Sequence, residues 1–145
     1  MSLLFQSRRV AATVVLALSV ALGLTACEPL GPDELRREVQ TIHSVAAEGS
    51  VLADQIAAQR TKRTFARVQA RELSDNAGHS AERLTDAHPQ DDLIAQQNRA
   101  ITLAQQTADE IGQLEVAPDD AQAAQATAAR LRAIAAKAAG LAESL

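Results

Sequence analysis

Four segments of the chain carry apolar side chains at the spacing of an α-helix, and short polar corners separate them. The apolar residues recur at steps of three and four, whereas a half-buried strand would alternate apolar and polar residues. We predict helices over about 33–59, 62–87, 90–115 and 119–144. Helices of matched length joined by short corners are typical of an antiparallel, up-down-up-down four-helix bundle, so the predicted fold class is all-α.

The corners differ in how clearly the sequence marks them. His88-Pro89 ends the second segment, because the residue before a proline is disfavoured in a helix. Pro118 marks the third corner, and Asp33 is the candidate N-cap of the first helix. The first corner is the least marked, since Arg60–Thr64 holds neither glycine nor proline. A continuous kinked helix is an alternative there, and a break at Gly49-Ser50 is another.

Composition narrows the functional classes. The chain has no Trp, no Tyr and two Phe, against 32 alanines in 145 residues. Base-stacking surfaces and aromatic cages for cations each need several exposed rings, so we expect neither. Alanine is also disfavoured in strands, which argues against a β-sandwich or barrel.

Residues 1–27 have the plan of an export signal. Arg8 and Arg9 are followed by the uncharged run Val10–Leu24, which has 15 residues and is short for a membrane-spanning helix, since such a helix needs about 20. The run ends in Leu24-Thr25-Ala26-Cys27, which resembles the lipobox of bacterial lipoproteins. The alternatives are an ordinary transmembrane anchor or a buried cysteine in a core helix. Ser7-Arg8-Arg9 is only a partial match to a twin-arginine signal.

The resemblance to lipoproteins implies how the chain is processed. A transferase would attach diacylglycerol to the sulfur of Cys27, and a peptidase would then cut between Ala26 and Cys27. Residues 1–26 would be the signal peptide, 27–32 a short Pro/Gly linker and 33–145 the bundle. The acylated Cys27 would hold the protein to the cell membrane on its extracytoplasmic side, because two acyl chains suffice for stable attachment.

The mature chain then has few groups for chemistry. Cys27 is the only cysteine, so lipidation leaves no disulfide, no thiolate metal ligand and no thiol nucleophile. The sequence contains no nucleophile elbow, glycine-rich phosphate loop or zinc-protease motif. Residues 27–145 carry 12 Lys and Arg against 18 Asp and Glu, which argues against nucleic acid as a partner. We therefore expect neither an enzyme nor a bound cofactor.

One acidic row on the second helix has oxygen and imidazole ligands that could bind a divalent metal weakly. Its members recur at steps of three and four and share a helical face with one imidazole. The row lies roughly opposite the apolar stripe, so we interpret it as a solvated face and predict no metal. His43 and His88 are likewise expected at boundary or surface positions. The row comprises Glu72, Asp75, His79, Glu82 and Asp86.

Two surfaces are candidates for a partner. The first is a basic patch in the first corner, which the bundle would place at its distal end, opposite the membrane. An acidic third corner (Glu115, Asp119 and Asp120) would lie beside it, so the two corners either pair or offer charge to an envelope protein. The patch comprises Arg60, Lys62, Arg63 and Arg67.

The second surface is an alanine ridge on the fourth helix, opposite its core stripe. Small residues in a row let another helix approach closely, although alanine also fills exposed helical positions at no cost. Arg130, Arg132 and Lys137 flank this ridge. The ridge comprises Ala126, Ala129, Ala133 and Ala136.

Together these features predict a lipid-anchored envelope protein with a helical interaction or structural module. The alternative is a carrier that holds a lipid or another apolar ligand between its helices, because small core side chains leave room.

Overall fold

The computed structural model describes residues 29–145, and these residues confirm the all-α class. Helix α1 spans Pro32–Ala57, α2 spans Arg63–Asp86, α3 spans Ile94–Val116 and α4 spans Ala121–Glu143. A short 3-10 turn, Asp91–Leu93, leads into α3. The described residues contain no strand beyond an isolated bridge, and none of their helices is both long and apolar enough to cross a bilayer.

The apolar stripes of the four helices form the core. Each helix contributes both branched and small side chains, and most of them are fully enclosed. Helix α1 packs most extensively on α4, and α2 on α3. The alanines within these stripes allow the helix backbones to approach closely. The largest enclosed side chains are Leu35, Val39, Ile42, Leu84, Ile111, Leu114 and Leu131.

Gly49 lies at a close approach of three helices in the core. A methyl group on its Cα would lie 2.7 Å from Cδ1 and 2.8 Å from Cγ1 of Ile111, and 3.2 Å from Cδ1 of Leu131. Helix α1 therefore contacts both α3 and α4 at this point. The helix continues through Gly49 and Ser50, so the chain does not break there.

Side chains that reach backbone carbonyls link the helices. Ser74 of α2 donates to the carbonyl of Ala108 in α3 at 2.9 Å. The buried amide of Gln97 donates to the carbonyls of Leu84 at 2.6 Å and Ala87 at 2.9 Å. Carbonyls at a helix C-terminus have no partner within the helix, so Gln97 satisfies the end of α2 from the neighbouring helix.

The first corner begins with a left-handed residue. Gln59 has a φ of 55°. Its N–H donates to the carbonyl of Ile56 at 2.9 Å, and the N–H of Arg60 donates to the carbonyl of Gln55 at 2.8 Å. These two bonds define a Schellman motif, in which glycine usually occupies the left-handed position. The break between α1 and α2 therefore needs no proline.

Gln59→Gly is expected to raise the free energy of unfolding by about 1 kcal/mol, because a residue with a Cβ is strained in the left-handed region. Urea unfolding followed by circular dichroism measures this change. Gln55→Gly is the matched control, since Gln55 is an exposed residue inside α1. There the same substitution should cost about 1 kcal/mol. A loss of stability at both positions would contradict the prediction.

The start of α1 differs from the sequence prediction. Gly31 is the N-cap and Pro32 the first helical residue, so the prediction of Asp33 as N-cap is wrong. Proline is favoured at this position because its missing N–H would have no partner there. The carboxylate of Glu34 accepts a hydrogen bond from the N–H of Gly31 at 3.4 Å.

Leu30 does not behave as part of a free linker. Its side chain is buried, its N–H donates to the carbonyl of His88 at 2.7 Å, and its own carbonyl accepts from Gln90 at 3.4 Å. The segment predicted as a linker over 27–32 is thus fixed at Leu30 against the corner between α2 and α3. We call this side of the molecule the Leu30 end.

Candidate functional site

The basic patch lies in the first corner and the first turns of α2. All four of its cations, Arg60, Lys62, Arg63 and Arg67, are exposed. Arg63 lies 3.6 Å from the carboxylate of Asp119, so the pairing of the basic and acidic corners is present at one position. Both side chains are exposed, and solvent screens such a pair to roughly 0–1 kcal/mol.

The other three cations of the patch form no ion pair within residues 29–145. Helix α2 also begins without an acidic residue in its first turn and without a side-chain cap on Lys62. Positive charge near a helix N-terminus opposes the helix dipole by about 0.3–1 kcal/mol per group. The positive end of the α2 dipole therefore adds to the charge of the cations, so this surface favours an anionic group.

Two apolar side chains are exposed within the patch. Phe65 is 55% exposed and Val68 is 61% exposed, one helical turn apart on α2. Val116, at the end of α3, is 84% exposed. Burying Phe65 and Val68 against a partner would be favourable at about 25 cal/mol per Å² of apolar surface.

Sequence reasoning assigned the cations of this surface but missed its apolar members. The available signal was their position: Phe65 and Val68 fall outside the stripe that contains Ala66 and Ala70, and those two alanines are fully buried. A phenylalanine outside the core stripe of a helix is a candidate contact residue.

Arg71 lies next to the basic patch on α2, one helical turn after Arg67. Its Nε donates to Oε1 of Glu115 at 2.8 Å, which joins α2 to α3. This hydrogen bond, with the carboxylate charge behind it, raises the pKa of Arg71 above its ordinary value. Arg71 is thus committed to an internal partner, unlike Arg67 one turn earlier.

The alanine ridge on α4 is fully on the surface, since all four alanines are exposed. Two of the flanking cations are held by neighbouring helices: Arg130 contacts Glu110 at 2.8 Å, and Arg132 pairs with Asp54. Lys137 forms no ion pair within the described residues. Nothing in residues 29–145 covers the ridge.

The acidic row on α2 is also a surface feature. Its five members are all exposed, and Nδ1 of His79 lies 3.1 Å from Glu82. No group of three or more His, Cys, Asp or Glu among residues 29–145 is arranged to hold a metal ion. The row is the solvated face that its helical spacing predicted.

His43 has a structural contact that sequence reasoning did not assign. It is half-buried, and its Nδ1 lies 2.9 Å from the carbonyl oxygen of Ala135, so the ring N–H donates from α1 to α4. His88 contributes its backbone carbonyl to Leu30. The lipobox residues Leu24, Thr25, Ala26 and Cys27 lie outside the described residues.

No family model, curated protein or solved structure matches this chain.

Proposed function

We propose that this chain is a lipid-anchored envelope protein whose helical domain is a non-enzymatic interaction module. The anchor would be a diacylglyceryl group on Cys27, in keeping with the lipobox-like Leu24-Thr25-Ala26-Cys27. Leu30 is fixed against the corner between α2 and α3, which leaves only residues 28 and 29 between the anchor and the folded domain. The Leu30 end would therefore lie close to the bilayer.

We further propose the antiparallel, up-down-up-down arrangement for residues 33–145. Three ion pairs support it, because each joins the first half of one helix to the second half of the next or the previous one. Such an arrangement directs the first and third corners away from the membrane. The pairs are Glu38–Arg83, Arg71–Glu115 and Glu110–Arg130.

The basic patch would be the partner-binding surface. The observation that carries this proposal is the exposure of Phe65 and Val68 among Arg60, Lys62 and Arg67, three cations without ion pairs in the described part of the chain. Phe65 and Val68 would pack against an apolar side chain of the partner protein. The cations around them would pair with carboxylates of that partner.

The carrier alternative has less support. A ligand between the helices needs a gap in the core, yet a methyl group at Gly49 would already lie 2.7 Å from Ile111. Helices α2 and α3 are also close enough for Ser74 to reach the carbonyl of Ala108 at 2.9 Å.

Photocrosslinking in intact cells tests the partner surface. Benzoylphenylalanine incorporated in place of Val68 should yield a defined protein adduct, identified by mass spectrometry. The adduct should disappear when Arg60, Lys62 and Arg67 are each changed to Glu, and it should weaken at raised salt, because exposed charges are screened.

The matched control replaces Val51, a valine of α1 that is 54% exposed and lies outside the patch. Circular dichroism of the charge-reversed variant checks that its helices remain. An adduct that forms equally from position 51, or that survives charge reversal in the folded variant, would refute the patch as a binding surface.

A further inference from the structure

A groove of about 670 Å³ runs along the surface between α3 and α4. It is lined by residues between 98 and 106 in the first half of α3 and by residues between 137 and 144 at the end of α4. Its volume falls within the range of about 300–1,000 Å³ that is common for small-molecule sites. Its floor is apolar, because it is formed by Leu103, Leu141 and Gly140, and both leucines are 7% exposed.

The charges on the groove have one sign. Arg99 of α3 and Lys137 of α4 line its two walls, and the remaining polar side chains are neutral, so no carboxylate faces it. Neither cation forms an ion pair within residues 29–145. The whole chain has more acidic than basic residues, so a groove with two cations and no acid differs from the chain as a whole. Its charge is complementary to an anionic ligand.

The groove lies near the Leu30 end of the molecule. Helix α3 starts directly after the corner that holds Leu30 by hydrogen bonds to His88 and Gln90. The last turns of α4 line the same groove, so they lie near that end too. The chain continues from Leu30 toward Cys27, which brings the groove to the side of the proposed anchor.

We propose that the groove between α3 and α4 binds one anionic phospholipid of the anchoring membrane. Arg99 and Lys137 would contact the phosphate from opposite walls, and the floor at Leu103, Gly140 and Leu141 would contact the first methylene groups of an acyl chain. A free anion would leave that apolar floor unused, which favours a lipid over inorganic phosphate. The choice of a membrane lipid rests on the proposed anchor, whereas binding itself is measured without a membrane.

The binding test uses the full chain, purified in a non-ionic detergent and titrated with dioctanoyl phosphatidylglycerol. Native mass spectrometry should show one bound lipid per chain. Dioctanoyl phosphatidylcholine and inorganic phosphate should each bind at least about tenfold more weakly, because the first adds a positive headgroup and the second lacks acyl chains.

Gly140 permits a variant that fills the groove without harming the fold. A Cβ at Gly140 would meet nothing within 4 Å, and replacing a helical glycine raises helix propensity. Gly140→Leu should therefore abolish lipid binding while the protein becomes no less stable. Gly78→Leu is the matched control, since a Cβ at Gly78 of α2 also meets nothing within 4 Å. This variant should bind lipid normally.

A second pair of variants isolates the charge contribution. Arg99→Gln with Lys137→Gln should weaken phosphatidylglycerol binding at least about tenfold. Lys62→Gln with Arg67→Gln makes the same change in net charge at the basic patch and should leave binding unchanged. Equal losses in the two double variants would overturn the proposal, since they would indicate a general charge effect.

The other measurements also test whether the groove binds lipid. Equal binding of phosphatidylcholine, equal binding of inorganic phosphate, or full binding by Gly140→Leu would each overturn the lipid site. A photocrosslinker in place of the exposed Thr102, on the groove wall, should yield a lipid adduct in cells, and a protein adduct instead would assign the groove to a protein partner. If no lipid binds while acylation of Cys27 is found, the groove proposal fails and the anchor proposal stands.

Discussion

Ile111→Ala is expected to lower the free energy of unfolding by about 2–5 kcal/mol, the usual cost of truncating a fully buried branched side chain. Ile111 is 0% exposed and lies against Gly49 of α1. Its removal opens a cavity where α1 meets α3. A small domain has only about 5–15 kcal/mol of stability, so this loss should be plain in urea unfolding followed by circular dichroism.

A double-mutant cycle with Gly49 tests the contact itself. Gly49→Ala alone should destabilise the wild-type core by about 1–3 kcal/mol from overpacking, offset in part by a gain in helix propensity of about 1 kcal/mol. In the Ile111→Ala background the two closest contacts of the added methyl group are gone and only Cδ1 of Leu131 remains, at 3.2 Å, so the same change should be much less destabilising. The coupling should fall within about 0.5–3 kcal/mol.

Ile94→Ala is the matched control, because it makes the same substitution in the same helix at a residue that is 46% exposed. It should cost less than about 1 kcal/mol. Additive effects at Gly49 and Ile111 would show that the two residues do not contact each other in the folded protein.

The helices could be predicted because burial follows the period of the sequence. Val39, Ala70 and Ala128 each lie in an apolar stripe recognised from spacing alone, and all three are 0% exposed. The helical face of the acidic row was predictable for the same reason. Periodicity determines which side of a helix is buried, and it needs no knowledge of the neighbouring helices.

The ends of the helices were harder to predict, since they depend on contacts between distant segments. Leu30 is fixed by hydrogen bonds to His88 and Gln90, far along the chain, and nothing near Leu30 in the sequence indicates them. Gln59 adopts a left-handed conformation that glycine normally takes, so the turn has no local sequence signal. Both features are properties of the tertiary structure.

The candidate sites also combine features that the sequence predicts with features that depend on the tertiary structure. Exposure of Arg60 and Arg67 followed from their place outside the apolar stripe. The ion pair of Arg63 with Asp119 is one case of the corner pairing that the predicted bundle allowed, although the period of neither helix identifies which two residues meet. The groove between α3 and α4 depends on the distance between two helices. That distance is set by all the side chains between them, so neither helix predicts the groove by itself.

Cys27→Ser is expected to abolish acylation of the chain completely. The lipobox-like Leu24-Thr25-Ala26-Cys27 provides one sulfur for diacylglycerol, and a serine hydroxyl is not a substitute for a thiolate nucleophile. In lipoproteins the lipid is added before the peptidase cuts, so the variant should also keep residues 1–26. Growth with labelled palmitate and the intact mass of the purified chain measure both effects.

Thr25→Ser is the matched control, because it keeps a small residue inside the motif and leaves Cys27 in place. It should be labelled and cut before Cys27 like the wild-type chain. Leu30, Pro32 and the rest of the folded domain follow the substituted position, so the circular dichroism spectrum of Cys27→Ser should retain its helical bands. Palmitate label on the Cys27→Ser chain, or cleavage before residue 27 without label, would refute the lipoprotein anchor. The basic patch would then have to be tested in a protein that is not held at the membrane by Cys27.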